Sequence, residues 1–141
     1  MLRNALAITL FLTTLSAADA QQNPFVGGWR SIVVTNGMEI TISLVMRPDM
    51  RFSEQEASYV GVTTQTGTYV VNAGELTLNI EDWQPKTHEV YHPTGTTGGY
   101  YTDEPSPQPP GGTYQVQFLS ANRMVMREVN FGGEARFDRT R

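Results

Sequence analysis

The chain has 141 residues, 39% of them hydrophobic and 17% charged, which suits one cored domain and is too short for two. Ten Lys and Arg against 14 Asp and Glu leave a formal charge of -4, so no polybasic surface offers counterion release to a nucleic acid or attraction to anionic lipid. The absence of cysteine excludes a disulfide framework, a thiolate metal site, a thiol nucleophile and a lipid-anchored cysteine.

The first predicted element is an export signal over residues 1–20. Arg3 supplies a positive start, Ala5 to Leu15 form an uncharged run, and Ala18-Asp19-Ala20 places small residues where a signal peptidase reads. Eleven apolar-to-neutral residues fall short of the roughly 20 needed to span a bilayer. Cleavage after Ala20 leaves one domain over 21–141, with no membrane span and a periplasmic or secreted address.

From Trp29 onward a period of two dominates. Met38, Ile40, Ile42, Leu44 and Met46 alternate with Glu39, Thr41, Ser43 and Val45, the pattern of a half-buried strand. It recurs in Leu76, Leu78 and Ile80, in Tyr114, Val116 and Phe118, and in Met124 and Met126. Asn36-Gly37, Pro48-Asp49, Asn72-Ala73-Gly74, Ser120-Ala121-Asn122 and Gly132-Gly133 read as turns. The predicted strands are 29–35, 38–46, 50–57, 58–64, 67–72, 75–81, 113–119 and 123–130, with a ninth candidate at 134–140. An apolar face on about eight sequential antiparallel strands must close on itself or stack as two sheets. The short connections favour an all-β, up-and-down antiparallel barrel, with a β-sandwich as the alternative.

The rhythm breaks between residues 82 and 112, which hold six of the eight prolines and five of the 13 glycines. This segment reads as one long Pro/Gly/Tyr-rich loop, either functional or a tolerated hairpin with a loose tip. Its second half, from Asp103 to Pro110, has the composition of a polyproline-type spacer. Trp83, Tyr91, Tyr100 and Tyr101 give it a rigid amphipathic surface suited to a protein or cell-envelope partner.

His88-Glu89-Val90-Tyr91-His92 spells H-E-x-x-H, the zinc-hydrolase pattern in which a helix sets two imidazoles on one face beside a glutamate base. Pro85 and Pro93 leave little room for that helix. In an extended segment His88 and His92 stand about 13 Å apart, too far to share an ion. The expectation is therefore no metal, no cofactor and no catalytic residue, with a hydrolase built on this segment as the remote alternative. Glu54 with Glu56, and Glu81 with Asp82, read as solvated strand edges and turns.

Asn23-Pro24-Phe25-Val26-Gly27-Gly28-Trp29-Arg30 carries a Gly-x-Trp at the head of the first strand, and with the strand succession through Gly67-Thr68-Tyr69 and Leu76-Thr77-Leu78 it resembles small bacterial exported proteins of the lipocalin-like, calycin type. The resemblance implies an eight-stranded barrel whose tryptophan, Trp29, closes one end beneath an arginine of the last strand, a cation over an indole face. Among Arg136, Arg139 and Arg141, Arg139 is the expected partner because it shares a strand face with Phe137.

Two function classes follow. One is a non-enzymatic binding protein that takes a small apolar or amphipathic ligand in the barrel or at its mouth, lined by Met38, Ile40, Ile42, Leu44, Leu78, Phe118, Met124 and Met126. Met46, Leu76 and Ile80 share that lining, and methionine suits an adaptable wall. The same side chains would equally fill an eight-stranded barrel as plain core. The other class is an interaction module acting through the 82–112 loop.

Overall fold

The computed structural model describes residues 23–141; the expected export signal and its cleavage point lie outside the described residues. The strands are β1 (Gly27–Thr35), β2 (Met38–Met46), β3 (Arg51–Ser58), β4 (Gly61–Asn72), β5 (Glu75–Gln84), β6 (Thr87–Thr94), β7 (Gly98–Pro105), β8 (Gly112–Ser120), β9 (Arg123–Glu128) and β10 (Glu134–Arg139). Eight of them close into an antiparallel barrel in the order β1-β2-β3-β4-β5-β8-β9-β10, with β10 returning to β1, and β6 and β7 pair only with each other. The fold is therefore the single up-and-down barrel expected, and the sandwich alternative is set aside.

Three elements differ from the sequence reading. The segment 58–64 divides, with Ser58 ending β3 and Tyr59-Val60 turning, while from Gly61 on it joins 67–72 in one strand, β4, whose register against β5 shifts between Thr66 and Gly67. There the two backbones approach so closely that a Cβ on Gly67 would run into the Asn79 carbonyl oxygen, so the glycine marks a bulge inside a strand rather than a break between two. The candidate at 134–140 is the eighth stave, β10. The stretch 82–112 is not one loop: β5 runs on to Gln84, and Thr87–Pro105 folds back as a two-stranded ribbon. Only 106–111 crosses without regular structure, so the spacer expected from Asp103 onward starts three residues later. Pro93 and Pro105 sit on ribbon strands that have no further neighbour, where a missing N–H donor breaks no ladder.

An up-and-down barrel sends alternate turns to opposite ends. One end is closed. Trp29, Leu44, Met46, Phe52, Tyr69 and Leu76 are buried there, and Phe25, ahead of β1, plugs the end with its ring edge-on to Phe118 at 5.1 Å. The Trp29 indole donates to the Phe25 carbonyl at 2.7 Å. Arg139 Cζ stands 4.2 Å from the Trp29 ring centre, while its guanidinium donates to the carbonyls of Val26 at 2.7 Å, Pro24 at 2.9 Å and Ala121 at 3.0 Å. Gly27 makes the approach possible: its φ is +133°, and a Cβ there would meet the Arg139 guanidinium. Among the described residues no helix is long and apolar enough to cross a membrane.

Candidate functional site at the open end of the barrel

The opposite end carries the β1–β2, β3–β4 and β9–β10 turns and the β6–β7 ribbon. It opens into a cavity of ≈ 420 Å³, within the range of small-molecule sites. Seven of the eight staves contribute to its wall. Ile42, Met126 and Phe137 give it an apolar floor, Gln65 and Tyr114 put an amide and a phenol on its side, and Glu54, Glu56, Glu128 and Glu134 bring four carboxylates to it.

Period-two geometry turns Glu54, Glu56 and Glu128 inward, whereas Glu134, out of phase with Ala135 and Phe137, reaches the rim from the outer face. Met46 faces Phe52, Leu44 faces Glu54, and Ile42 faces Glu56 across the β2–β3 ladder. Phe52 is buried, so Glu54 and Glu56, two and four residues on, share its inward face. Glu54 is thus not the solvated strand edge expected from its charge. Burial pushes its carboxyl up to about 7; a hydrogen bond from Gln65 opposes the shift, and the Glu56 charge adds to it. Burial raises the Tyr114 phenol too, helped by the negative charge of Glu54, Glu128 and Glu56. Both shifts combine burial with the negative charge of neighbouring carboxylates.

Glu128 accepts from Asn130 Nδ2 at 3.2 Å and from the Phe131 amide. That turn holds the Phe131 ring at the rim, 90% exposed, where it completes the cavity wall. Tyr59 and Val60 project from the β3–β4 turn of the same end and are likewise exposed.

The residues expected to line the barrel divide. Ile42 and Met126 line the mouth cavity. Leu44, Leu78 and Met124 are buried in the packed core, and Phe118 packs against Phe25 and Trp29. Met38 and Ile40 lie further out on β2 and line a separate depression with Glu56, Val60 and Pro85. The sequence reading had not singled out Gln65, Tyr114, Glu128 or Phe131. The alternation running from Phe118 and Val116 to Tyr114, and from Met124 and Met126 to Glu128, is the signal that places the tyrosine and the glutamate inside.

The ribbon spreads its aromatic residues over two faces. Tyr91 opposes Tyr101, their rings 5.1 Å apart, and on the other face His92 stacks on Tyr100 at 5.1 Å. Trp83 belongs to β5 at the ribbon's base, with Lys86 Nζ 3.5 Å from its ring centre. It borders a half-open depression between barrel wall and ribbon, together with Pro85, His88 and Pro107. The mouth cavity is the better binding site of the two because staves surround it and its wall joins an apolar floor to a few converging polar groups.

The H-E-x-x-H segment is extended within β6, so the helical spacing on which zinc-hydrolase chemistry depends is not present. His92 Nε2 lies 2.8 Å from Thr102 Oγ1 and 3.1 Å from Glu104 Oε1, and His88 Nδ1 lies 3.4 Å from Ser106 Oγ. Among the described residues no three His, Cys, Asp or Glu side chains gather as a metal ion requires.

No protein-family model matches the chain, and no curated protein matches it.

Proposed function

We propose that this protein is an exported, non-enzymatic binding module of lipocalin-like type that takes a small amphipathic molecule at the barrel mouth. The observation that carries the reading is the ≈ 420 Å³ cavity at one end of a barrel whose other end is plugged. Its apolar floor and its few polar groups are what a small amphipathic molecule needs in order to be oriented as well as desolvated. Export follows from the Arg3 to Ala20 pattern.

The test is titration with the neutral fluorescent probe N-phenyl-1-naphthylamine. The expected result is saturable one-to-one binding that disappears in Ala135→Trp, which fills the cavity from β10, and persists when Thr87–Pro105 is replaced by a short Gly/Ser linker. Unsaturable binding, or binding indifferent to Ala135→Trp, overturns the reading.

A second reading is favoured by one observation: Tyr91, Tyr100 and Tyr101 are all exposed on a ribbon that pairs with no barrel strand. Exposed tyrosines on a projecting ribbon suit a protein or cell-envelope partner. The same linker variant separates the two readings, since it abolishes ribbon-mediated capture and leaves probe binding intact.

A further inference from the structure

We propose that the ligand of the barrel mouth is an organic amine, its ammonium held among Glu54, Glu56 and Glu128 and its apolar part resting on Ile42, Met126 and Phe137. The inference rests on the reading that the mouth binds a small amphipathic molecule, and it assigns the charge of that molecule.

The cavity itself sets the terms. Among the described residues its lining holds four carboxylates and no lysine, arginine or histidine. Glu134 is neutralised by Arg127 at 2.8 Å on the outer side. Among the described residues the other three are in no ion pair; Glu54 is met by the Gln65 amide, and Glu128 by the Asn130 amide and the Phe131 N–H. Neutral donors orient a carboxylate without balancing its charge, and for the buried Glu54 that imbalance is costly. A cation entering the mouth balances it.

The size and the walls of the space then choose among cations. A metal ion is disfavoured because no three ligating side chains gather on one point, and because ≈ 420 Å³ far exceeds what a bare ion fills. An organic ammonium needs no tight coordination sphere, and it gains from aromatic faces. Three aromatic residues line the same cavity: Tyr114 from the side, Phe137 from the floor and Phe131 from the rim. The Phe131 amide bonds the Glu128 carboxylate, so the rim aromatic and one of the charges are fixed relative to each other by a single turn. Phe131 is 90% exposed at the rim, placed to cover a ligand held in the mouth.

Capture is expected to weaken in acid, as Glu54, whose carboxyl is raised to about 7, takes up a proton. The groups facing Glu54 are Glu56 on its own strand, Gln65 from β4, Tyr114 from β8, Glu128 from β9 and Glu134 from β10, with β1 and β2 presenting Val33 and Ile42. All the ionisable members of that set are acids, so lowering the pH only removes negative charge from the mouth.

The experiment compares three probes with one apolar body and different heads: 4-phenylbutylamine, 4-phenylbutanol and 4-phenylbutanoate, titrated calorimetrically at pH 8 and pH 5.5. At pH 8 the amine should bind at least about tenfold tighter than the alcohol, as expected for a charge pair in a partly desolvated site, with the carboxylate weakest. The gap should shrink at pH 5.5, and it should shrink at pH 8 in Glu54→Gln and in Glu128→Gln. Saturable alcohol binding retained in those variants, together with an unchanged circular dichroism spectrum, shows that the mouth is intact. Equal affinity for amine and alcohol, or a preference for the carboxylate, overturns the amine assignment while leaving the binding module standing. Failure of all three probes overturns both.

Discussion

Arg139 is the cross-strand partner of Trp29 at the β1–β10 junction, and its guanidinium carbon stands 4.2 Å from the indole ring centre. One side chain thereby supplies a cation over an aromatic face and three hydrogen bonds to carbonyls from the N-terminal segment and the β8–β9 turn. Lysine cannot reproduce that fork, because its charge sits on one atom. Arg139→Lys should cost about 1–3 kcal/mol, read as a drop in urea midpoint without a change in slope.

Gly67 should tolerate no side chain. The Asn79 carbonyl occupies the place of its Cβ, and both atoms belong to paired backbone. Gly67→Ala must separate β4 from β5 at the bulge, and a loss of about 2–4 kcal/mol is expected. Thermal unfolding would show it; a Tm within a degree of the parent protein refutes the close approach.

Ser31 is buried at 3% exposure on the inner face of β1, and among the described residues its hydroxyl has no partner. An unsatisfied buried hydroxyl costs free energy that alanine does not incur. Ser31→Ala is therefore expected to leave stability unchanged or to raise it by up to about 1 kcal/mol. A clear loss in chemical denaturation would show that the hydroxyl has a partner in solution.

Glu54 makes a pH-dependent contribution of unusual sign for a carboxylate. Its pKa is raised from 4.5 to about 7 on folding, so between those values the folded chain holds a proton that the unfolded chain has released. Stability from this group is full below pH 4.5, falls as pH rises through that window, and stays low above about pH 7. Glu54→Gln keeps the shape and removes the ionisation. It should be nearly neutral at pH 4.5 and stabilise by about 2–3 kcal/mol at pH 8. Urea denaturation of both proteins at the two pH values measures it, and an equal difference at each pH would refute the assignment.

Much of the barrel was legible because the period of two is strong where one face is apolar. Met38 to Met46 fixes β2 without help, and the turn residues around it bound its neighbours. Legibility failed where a local feature interrupted the pattern without ending the strand. At Gly67 a bulge resembles a gap, since glycine carries no side chain with which to mark a face. Between Thr87 and Pro105 the high proline and glycine content concealed a ribbon that depends on cross-strand pairs such as Tyr91 with Tyr101. Those partners are ten residues apart, and no local window joins them. The mouth was the least legible part. A glutamate on a strand is ordinarily outside, and only by counting alternate residues from Phe52 do Glu54 and Glu56 turn inward.

The β1–β10 pairing also bears on the order in which the barrel is assembled. Staves β1 to β5 can zip up as successive hairpins while later residues are still being made, each new pairing closing a short loop. The Trp29–Arg139 junction cannot: it joins strands separated by nearly the whole domain, and loop closure over that span comes late and slowly. Until β10 arrives, β1 is an open edge with Trp29 uncovered, a surface on which chains can pair with one another. The same residue that caps the finished barrel thus dates its completion, and folding and protection from aggregation converge on the moment Arg139 reaches Trp29.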